Sequence, residues 1–424
     1  MNFKKHNLYY NTILAFFMIS LCFGTTMLLI SSSSNQSLKF PKSASNGVSH
    51  YDILQSVEYK VEMNYTVSKE SFGLTRFYYK IPRIDNRTPY STLTRYCPPY
   101  QESELLYNNK YSISGGSSIS KSINLHDRFN NTYDAVNITM SRGDSLKLSQ
   151  EYNVTLNQVS FSNISDSDIG TYDTSDIMFE LYCNQSVQFF NTSDPDLISI
   201  SNLIVDGGDN PVEKAYKIIN WIGSNINYES QTEEKGASWA YDNSKGDCSE
   251  YADLMITLLR IQNIPARKIV GLIVSNDPTY RPSAGDELIY TFSNSEDTVM
   301  GHAWIEYYVP NIGWIACDPT WNGPYDYFNR IDYLRFGFTV GSWIRDGSGT
   351  LASEFPFPMG YSGTDYNFEL KLTVLGTKLS PLPPSIWDLL ILLIIIFAIV
   401  GVVGFTIYII IKILRHRKKS TVNY

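Results

Sequence analysis

The apolar run Ile386–Ile411 constrains this chain more than any other stretch. It holds one acid, Asp388, at its outer edge, and Lys412, Arg415, Arg417, Lys418 and Lys419 follow it. In lipid such a stretch satisfies its backbone only as a helix. The basic cluster behind it assigns the tail 412–424 to the cytoplasm. A second run, Leu8–Ile30, has no charge over 23 residues and follows Lys4 and Lys5. It exceeds the apolar part of an ordinary signal peptide and lacks a clear small-residue cleavage site. Residues 1–30 therefore read as an uncleaved signal anchor. With both basic flanks inside, residues from about 31 to 385 are expected outside the cytoplasm, held to the plasma membrane by two helices.

That outer segment carries 27 Lys/Arg and 41 Asp/Glu, a net charge of −14. Such a balance argues against nucleic acid or anionic lipid headgroups as partners and reads as a solvated acidic surface. Nine Asn-x-Ser/Thr sequons, at Asn35, Asn64, Asn86, Asn130, Asn137, Asn153, Asn163, Asn184 and Asn191, all precede residue 195. They suggest a glycosylated module beside an unglycosylated one. The cysteines divide likewise. Cys97 and Cys183 are the pair available for a disulfide in the first module, while Cys248 and Cys317 lie in the second.

Residues 31–50 are Ser/Asn-rich and read as a stalk. From 51 to 200, period-two patterns such as Tyr59, Val61, Met63, Tyr65 and Val67, and later Ile177, Phe179, Leu181 and Cys183, predict strands of an all-β, sandwich-like module. The composition changes at Asp206-Gly207-Gly208-Asp209-Asn210-Pro211. There Val212, Ala215, Tyr216, Ile219 and Ile222 predict an amphipathic helix. A second domain, 205–345, continues with a helix from Cys248 to about Gln262, a strand over 268–274 and a long polar loop over 275–300. Strands His302–Val309 and Trp314–Asp318 come next, and then Tyr333–Val340. Residues 346–385 hold a further strand, Phe368–Val374, and a Pro-rich linker.

Three residues of this second domain have the chemistry of acyl transfer by cysteine. Cys248 opens a helix, where free N–H groups and the dipole favour a thiolate. His302 is the only histidine between residues 127 and 415, so any imidazole chemistry here must use it. Asp318 closes the next strand. A three-residue turn at Pro310–Ile312 would bring Asp318 level with Trp304 and onto the face of His302. A four-residue turn would send it to the other face. Cys317 then points away, as a small buried apolar group. Each residue alone is more often structural, and a Cys/His/Asp metal site lacks a second Cys or His at ligand spacing. Glu250 and Asp253 read as solvated or capping groups, and Asp247 could pair with Arg267.

Gly-Asp-Cys-Ser-Glu-Tyr-Ala at 246–252, Ile-Pro-Ala-Arg at 264–267, Gly-His-Ala-Trp-Ile-Glu at 301–306 and Gly-Trp-Ile-Ala-Cys-Asp-Pro-Thr at 313–320 together resemble the transglutaminase-like superfamily, most of all its membrane-anchored microbial members. The resemblance implies a papain-like α+β core, with the cysteine helix packed on an antiparallel sheet. It implies Cys248 as nucleophile, His302 as base and acid, Asp318 as orienting carboxylate, and no metal or cofactor. Trp239, or the Cys248 N–H, is the candidate oxyanion donor. Substrates would be proteins or peptides at the cell surface. Hydrolysis of an amide is favoured because water is the default acceptor. The alternatives are a cross-linking transferase and a non-catalytic adhesion or scaffold module.

Overall fold

The computed structural model describes residues 50–85, 100–114, 118–126, 129, 131–162, 164–183, 189–277, 279–321, 327–340, 363–380 and 386–420. Its first six strands are β1 (Tyr51–Lys69), β2 (Thr75–Pro82), β3 (Gln101–Ser114), β4 (Ser118–His126), β5 (Thr132–Met140) and β6 (Ser145–Phe161). Then follow α1 (Ile177–Tyr182), α2 (Pro195–Ile204), α3 (Pro211–Asn225), β7 (Asn227–Tyr228), α4 (Ala237–Asn243), β8 (Lys245–Gly246) and α5 (Cys248–Ile261). The remainder comprises β9 (Ala266–Ile273), β10 (Glu287–Ser293), β11 (Gly301–Val309), β12 (Gly313–Cys317), β13 (Arg330–Ile331), β14 (Arg335–Val340), β15 (Thr364–Lys378) and α6 (Ile386–Ser420). The fold is mixed α+β: antiparallel sheets in the N-terminal part, then a helix-rich core.

Along β1 the period-two pattern holds, with Tyr59, Val61, Met63, Tyr65 and Val67 all buried. A large sheet of order β10-β15-β1-β6-β13, with β3 also paired to β6, shares an apolar core with the small sheet β2-β5-β4. The large sheet crosses the boundary expected near residue 205, because β10, β13 and β15 come from the later half of the chain. Strand β10 lies inside the segment read as a long loop. It is an edge strand with only Tyr290 buried, and its partner β15 is remote in sequence.

The strand expected at Ile177–Cys183 is a correction: these residues form α1 and the turn after it. Phe179, Leu181, Tyr182 and Cys183 are all buried, a width of apolar face that a helical turn also provides. A helix satisfies its own backbone, here through Cys183 N donating to Phe179 O at 3.0 Å, and needs no neighbouring strand. The disulfide expected at Cys97–Cys183 is not made at Cys183. That thiol is free and buried, 3.7 Å from the Arg260 carbonyl oxygen, and burial pushes its pKa up to about 11. Cys97 lies outside the described residues.

Of the sequons, Asn35, Asn86, Asn130, Asn163 and Asn184 lie outside the described residues. Asn64, Asn137 and Asn153 sit half-buried on strands, and the Asn64 and Asn137 side chains accept hydrogen bonds from Ser149 and Arg76. Asn191 is half-buried before α2 and accepts from the Ser193 hydroxyl.

The second sheet, β12-β11-β9-β14, carries the helices. Helix α3 starts as its sequence demands: Asn210 caps it by accepting from Val212 N and Glu213 N, Glu213 returns a bond to Asn210 N, and Pro211 takes the first position. Helix α5 is buried from Glu250 to Arg260 and packs on β9 and β11. Leu272, Phe336 and Phe338, at the other end of this sheet, join the core of the β-rich part. The helix α6 is the one among the described residues that is long and apolar enough to cross a membrane. The Leu8–Ile30 run lies outside those residues.

Gly271 of β9 faces His302 in the ladder, and β14 crosses so closely that a Cβ there would come within 1.9 Å of the Phe336 carbonyl oxygen. Gly271→Ala is expected to destabilise the fold by about 3 kcal/mol, read as a fall in the urea midpoint. Gly376→Ala, with nothing within 4 Å of the added carbon, should leave the midpoint nearly unchanged.

Candidate active site

The nucleophile candidate is placed by the start of α5. Asp247 is the N-cap, accepting from Ser249 N at 3.0 Å, and Glu250 Oε2 accepts from Asp247 N at 2.9 Å. This reciprocal cap leaves Cys248 as the first helical residue, half-buried. The preceding Gly246 is required by the same fold-back, since a Cβ there would lie 2.4 Å from Glu250 Cβ. Glu250 is therefore a buried capping group, and burial raises its pKa against the pull of the Lys235 and Asp247 backbone N–H groups. Asp253 is not solvated either. It is buried and pairs with Lys268 Nζ at 3.1 Å, while Lys268 also reaches Glu234 at 2.8 Å.

The hairpin β11–β12 places the other two residues. Val309 pairs with Gly313, so Pro310, Asn311 and Ile312 form the three-residue turn that the face argument requires. Asn311 takes φ 70°, in the left-handed region that asparagine tolerates. Ile305 pairs with Cys317, which leaves Asp318 one step past the ladder and level with Trp304. The result is a hydrogen bond of 2.7 Å between His302 Nε2 and Asp318 Oδ2, with both side chains buried. The His302 ring stacks on Trp304, with centroids 6.0 Å apart. Cys248 acts on the same imidazole and raises its pKa. Since Asp318 occupies Nε2, Nδ1 is the nitrogen left for the sulfur. Cys317 is buried and accepts from Asn329 N.

Several contributors were not visible in the sequence. Asp318 Oδ2 also accepts from Arg335 Nε at 2.7 Å and lies 2.6 Å from Arg335 Nη2, while Oδ1 accepts from Thr320 N at 3.1 Å. Burial would raise the Asp318 pKa, but His302 and Arg335 outweigh it and hold the carboxyl well below the usual range. Tyr228 pairs with Gly246 in the short parallel β7–β8 contact, and its ring centroid is 6.3 Å from that of Tyr251. Its phenol pKa is raised by burial first, then by the charges of Cys248 and Asp247. Loop 229–236 is tied to the helix tip, with Gln231 N donating to Asp247 and Lys235 N to Glu250. Trp239 is on α4, its ring 5.9 Å from Lys245 Nζ; no hydrogen bond joins it to Cys248 among the described residues. Arg267 pairs with Glu306, not Asp247, through Nε at 2.6 Å. Among the described residues no group of three or more His, Cys, Asp or Glu is arranged to hold a metal ion.

The cysteine thus comes from the tip of a helix and the His-Asp pair from the hairpin of the sheet that helix packs on. Residues 198–319 match the transglutaminase-like superfamily, and the chain carries a core of that superfamily. Over 81 residues it is 33% identical to a protein-glutamine gamma-glutamyltransferase of Pseudomonas aeruginosa, covering 19% of this chain and 11% of the relative. Over 120 residues it is 28% identical to the uncharacterized protein YebA of Bacillus subtilis, covering 26% of this chain and 16% of the other. The chain thus spans under a fifth of either relative. A solved structure of a candidate cysteine protease from Cytophaga hutchinsonii aligns with TM-score 0.47 at 15% identity, over 79% of this chain and 96% of that one. The periplasmic domain of TgpA from Pseudomonas aeruginosa, bound to ethylmercury, aligns with TM-score 0.27 at 15% identity, over 65% and 96%.

Burial alone would lower the His302 pKa, but the Asp318 charge and hydrogen bond, with Cys248, raise it to about 9. Unfolded histidine titrates near ~6.5. The proton held by the folded state therefore contributes stability that is complete below that value and is lost as the pH rises through about 9. Denaturation at stepped pH should show the unfolding free energy falling across this window by on the order of 3 kcal/mol. His302→Gln should lack that fall.

Proposed function

We propose that this protein is a membrane-anchored cysteine enzyme whose catalytic domain lies outside the cytoplasm and cleaves amide bonds of proteins or peptides at the cell surface. One observation carries the reading: the His302 imidazole is hydrogen-bonded to Asp318 through Nε2, which leaves Nδ1 free to serve the Cys248 thiol as its base. With His302 holding the proton of the thiol, the Cys248 sulfur bonds to the substrate carbonyl carbon. The carbonyl oxygen becomes an oxyanion, with the Cys248 N–H at the helix tip and the Tyr228 phenol as its donors. His302 then gives its proton to the departing amine, the C–N bond breaks, and a thioester remains. Water, deprotonated by His302, attacks the thioester and releases a carboxylic acid and the thiol. Both chain termini lie in the cytoplasm in this reading, with α6 as one anchor and residues 8–30 as the other. The sequon-bearing β-rich part acts as a glycosylated spacer or presenting surface.

A second reading, amine transfer in place of water, is favoured by the gamma-glutamyltransferase name of the Pseudomonas aeruginosa relative. The experiment that separates the two combines a thiol-directed probe with a labelled primary amine on the full chain. The probe should label wild type and not Cys248→Ala, and that variant should lose amide turnover by at least ~10³-fold. Comparing surface peptides released by the two forms then identifies substrates. Covalent incorporation of the amine into protein establishes the transferase. Equal probe labelling of both forms ends the enzymatic reading and leaves the scaffold alternative.

A further inference from the structure

Beyond the Cys-His-Asp cluster lies a row of buried charges that the family match, which ends at residue 319, does not include. Arg335, on the first position of β14, is 1% exposed. It donates through Nε to Asp318 Oδ2, the same oxygen that His302 Nε2 contacts. Its Nη1 is 2.9 Å from Asp332 Oδ1, which also accepts from Leu334 N at 2.9 Å. Asp332 Oδ2 accepts from the Tyr327 hydroxyl, and the Tyr327 ring lies 3.9 Å from the guanidinium. The centroid of the Trp321 ring also lies 5.9 Å from the guanidinium. Signs thus alternate along one buried line: imidazolium, Asp318, Arg335, Asp332.

We propose that Arg335 is a positioning residue that sets how tightly Asp318 holds the imidazolium proton of His302, and that Asp332 sets how much of Arg335 is available to do so. The proposal rests on the reading of Cys248 and His302 as nucleophile and base. A carboxylate shared with a fixed guanidinium has less negative charge to offer a second cation on the same oxygen. In a dry site, Asp318 facing His302 alone would keep the imidazolium charged and slow proton return to a leaving amine. Arg335 prevents that, while Asp332 draws the guanidinium partly away. The other ionisable groups around this line are Cys248 at the tip of α5, Tyr228 on β7, Tyr327 before β13, and Tyr59 on β1 and Tyr333 before β14, which both feel the charge of Asp332.

The test follows the titration of His302 by NMR of ¹³C-labelled histidine in the detergent-solubilised full chain, assigned by its loss in His302→Gln. Arg335→Met should raise the midpoint by about one pH unit, tenfold in the protonation equilibrium. Asp332→Asn should lower it, and Arg335→Lys should restore it toward wild type. If Arg335→Met does not fold, the Asp332→Asn and Arg335→Lys pair decides the matter alone. Midpoints that stay fixed or move in one direction together would make Arg335 and Asp332 structural only and overturn the proposal. Iodoacetamide alkylation of Cys248 in the same samples tests the underlying reading separately. Alkylation as fast in His302→Gln as in wild type removes the base assignment, whatever the variants at 335 and 332 do.

Discussion

The hydrogen bond between His302 and Asp318 depends on parity. Side chains alternate across a strand, so the carboxylate reaches the imidazole only if the turn between β11 and β12 holds an odd number of residues or a bulge repairs it. Pro310-Asn311-Ile312 meets the condition, with Asn311 supplying the left-handed residue and Gly313 continuing the turn at φ 108°. One inserted residue would leave both strands intact and face Asp318 the other way. The helix α5, the β9 strand opposite and the crossing of β14 over Gly271 all serve an arrangement that this turn makes possible.

Around that bond the structure uses one set of groups for several purposes. Glu250 caps α5 and also binds the loop 229–236 through Lys235 N. Asp247 caps Ser249 N and holds Gln231 N. The tip that carries Cys248 and the loop bordering it are thus secured by the same two carboxylates. Lys268 joins Asp253 of the helix to Glu234 of that loop from the sheet below. Ions this deeply buried are tolerated because each has an opposite charge within contact distance. Removing one member of such a pair strands the other, so these residues are expected to resist substitution as pairs.

The fold also ties the sheet that carries His302 to the rest of the chain. Residues of β9 and β14 contribute to the core of the β-rich part, and β10, β13 and β15 extend its large sheet. The buried Glu306 that holds Arg267 also accepts from the Tyr100 hydroxyl of the earlier half. The two parts therefore share strands and side chains, and their division by composition near residue 206 does not correspond to a division in space.

Local signals in the sequence determined a good deal: the apolar span at 386–411, the strand period of β1, the capped starts of α3 and α5, and the hairpin spacing that brings Asp318 to His302. Each is written in neighbouring residues, because capping, periodicity and turn geometry act over a few positions. Tertiary structure alone decided the rest. Arg335, Asp332, Tyr327 and Tyr228 carry no motif and reach the site through chain segments remote from it. The run 177–183 forms a helix that satisfies its own backbone, whereas β10 is held as a strand by its pairing with the remote β15. Partners chosen across long separations depend on how the whole chain packs, and no local window of sequence contains that information.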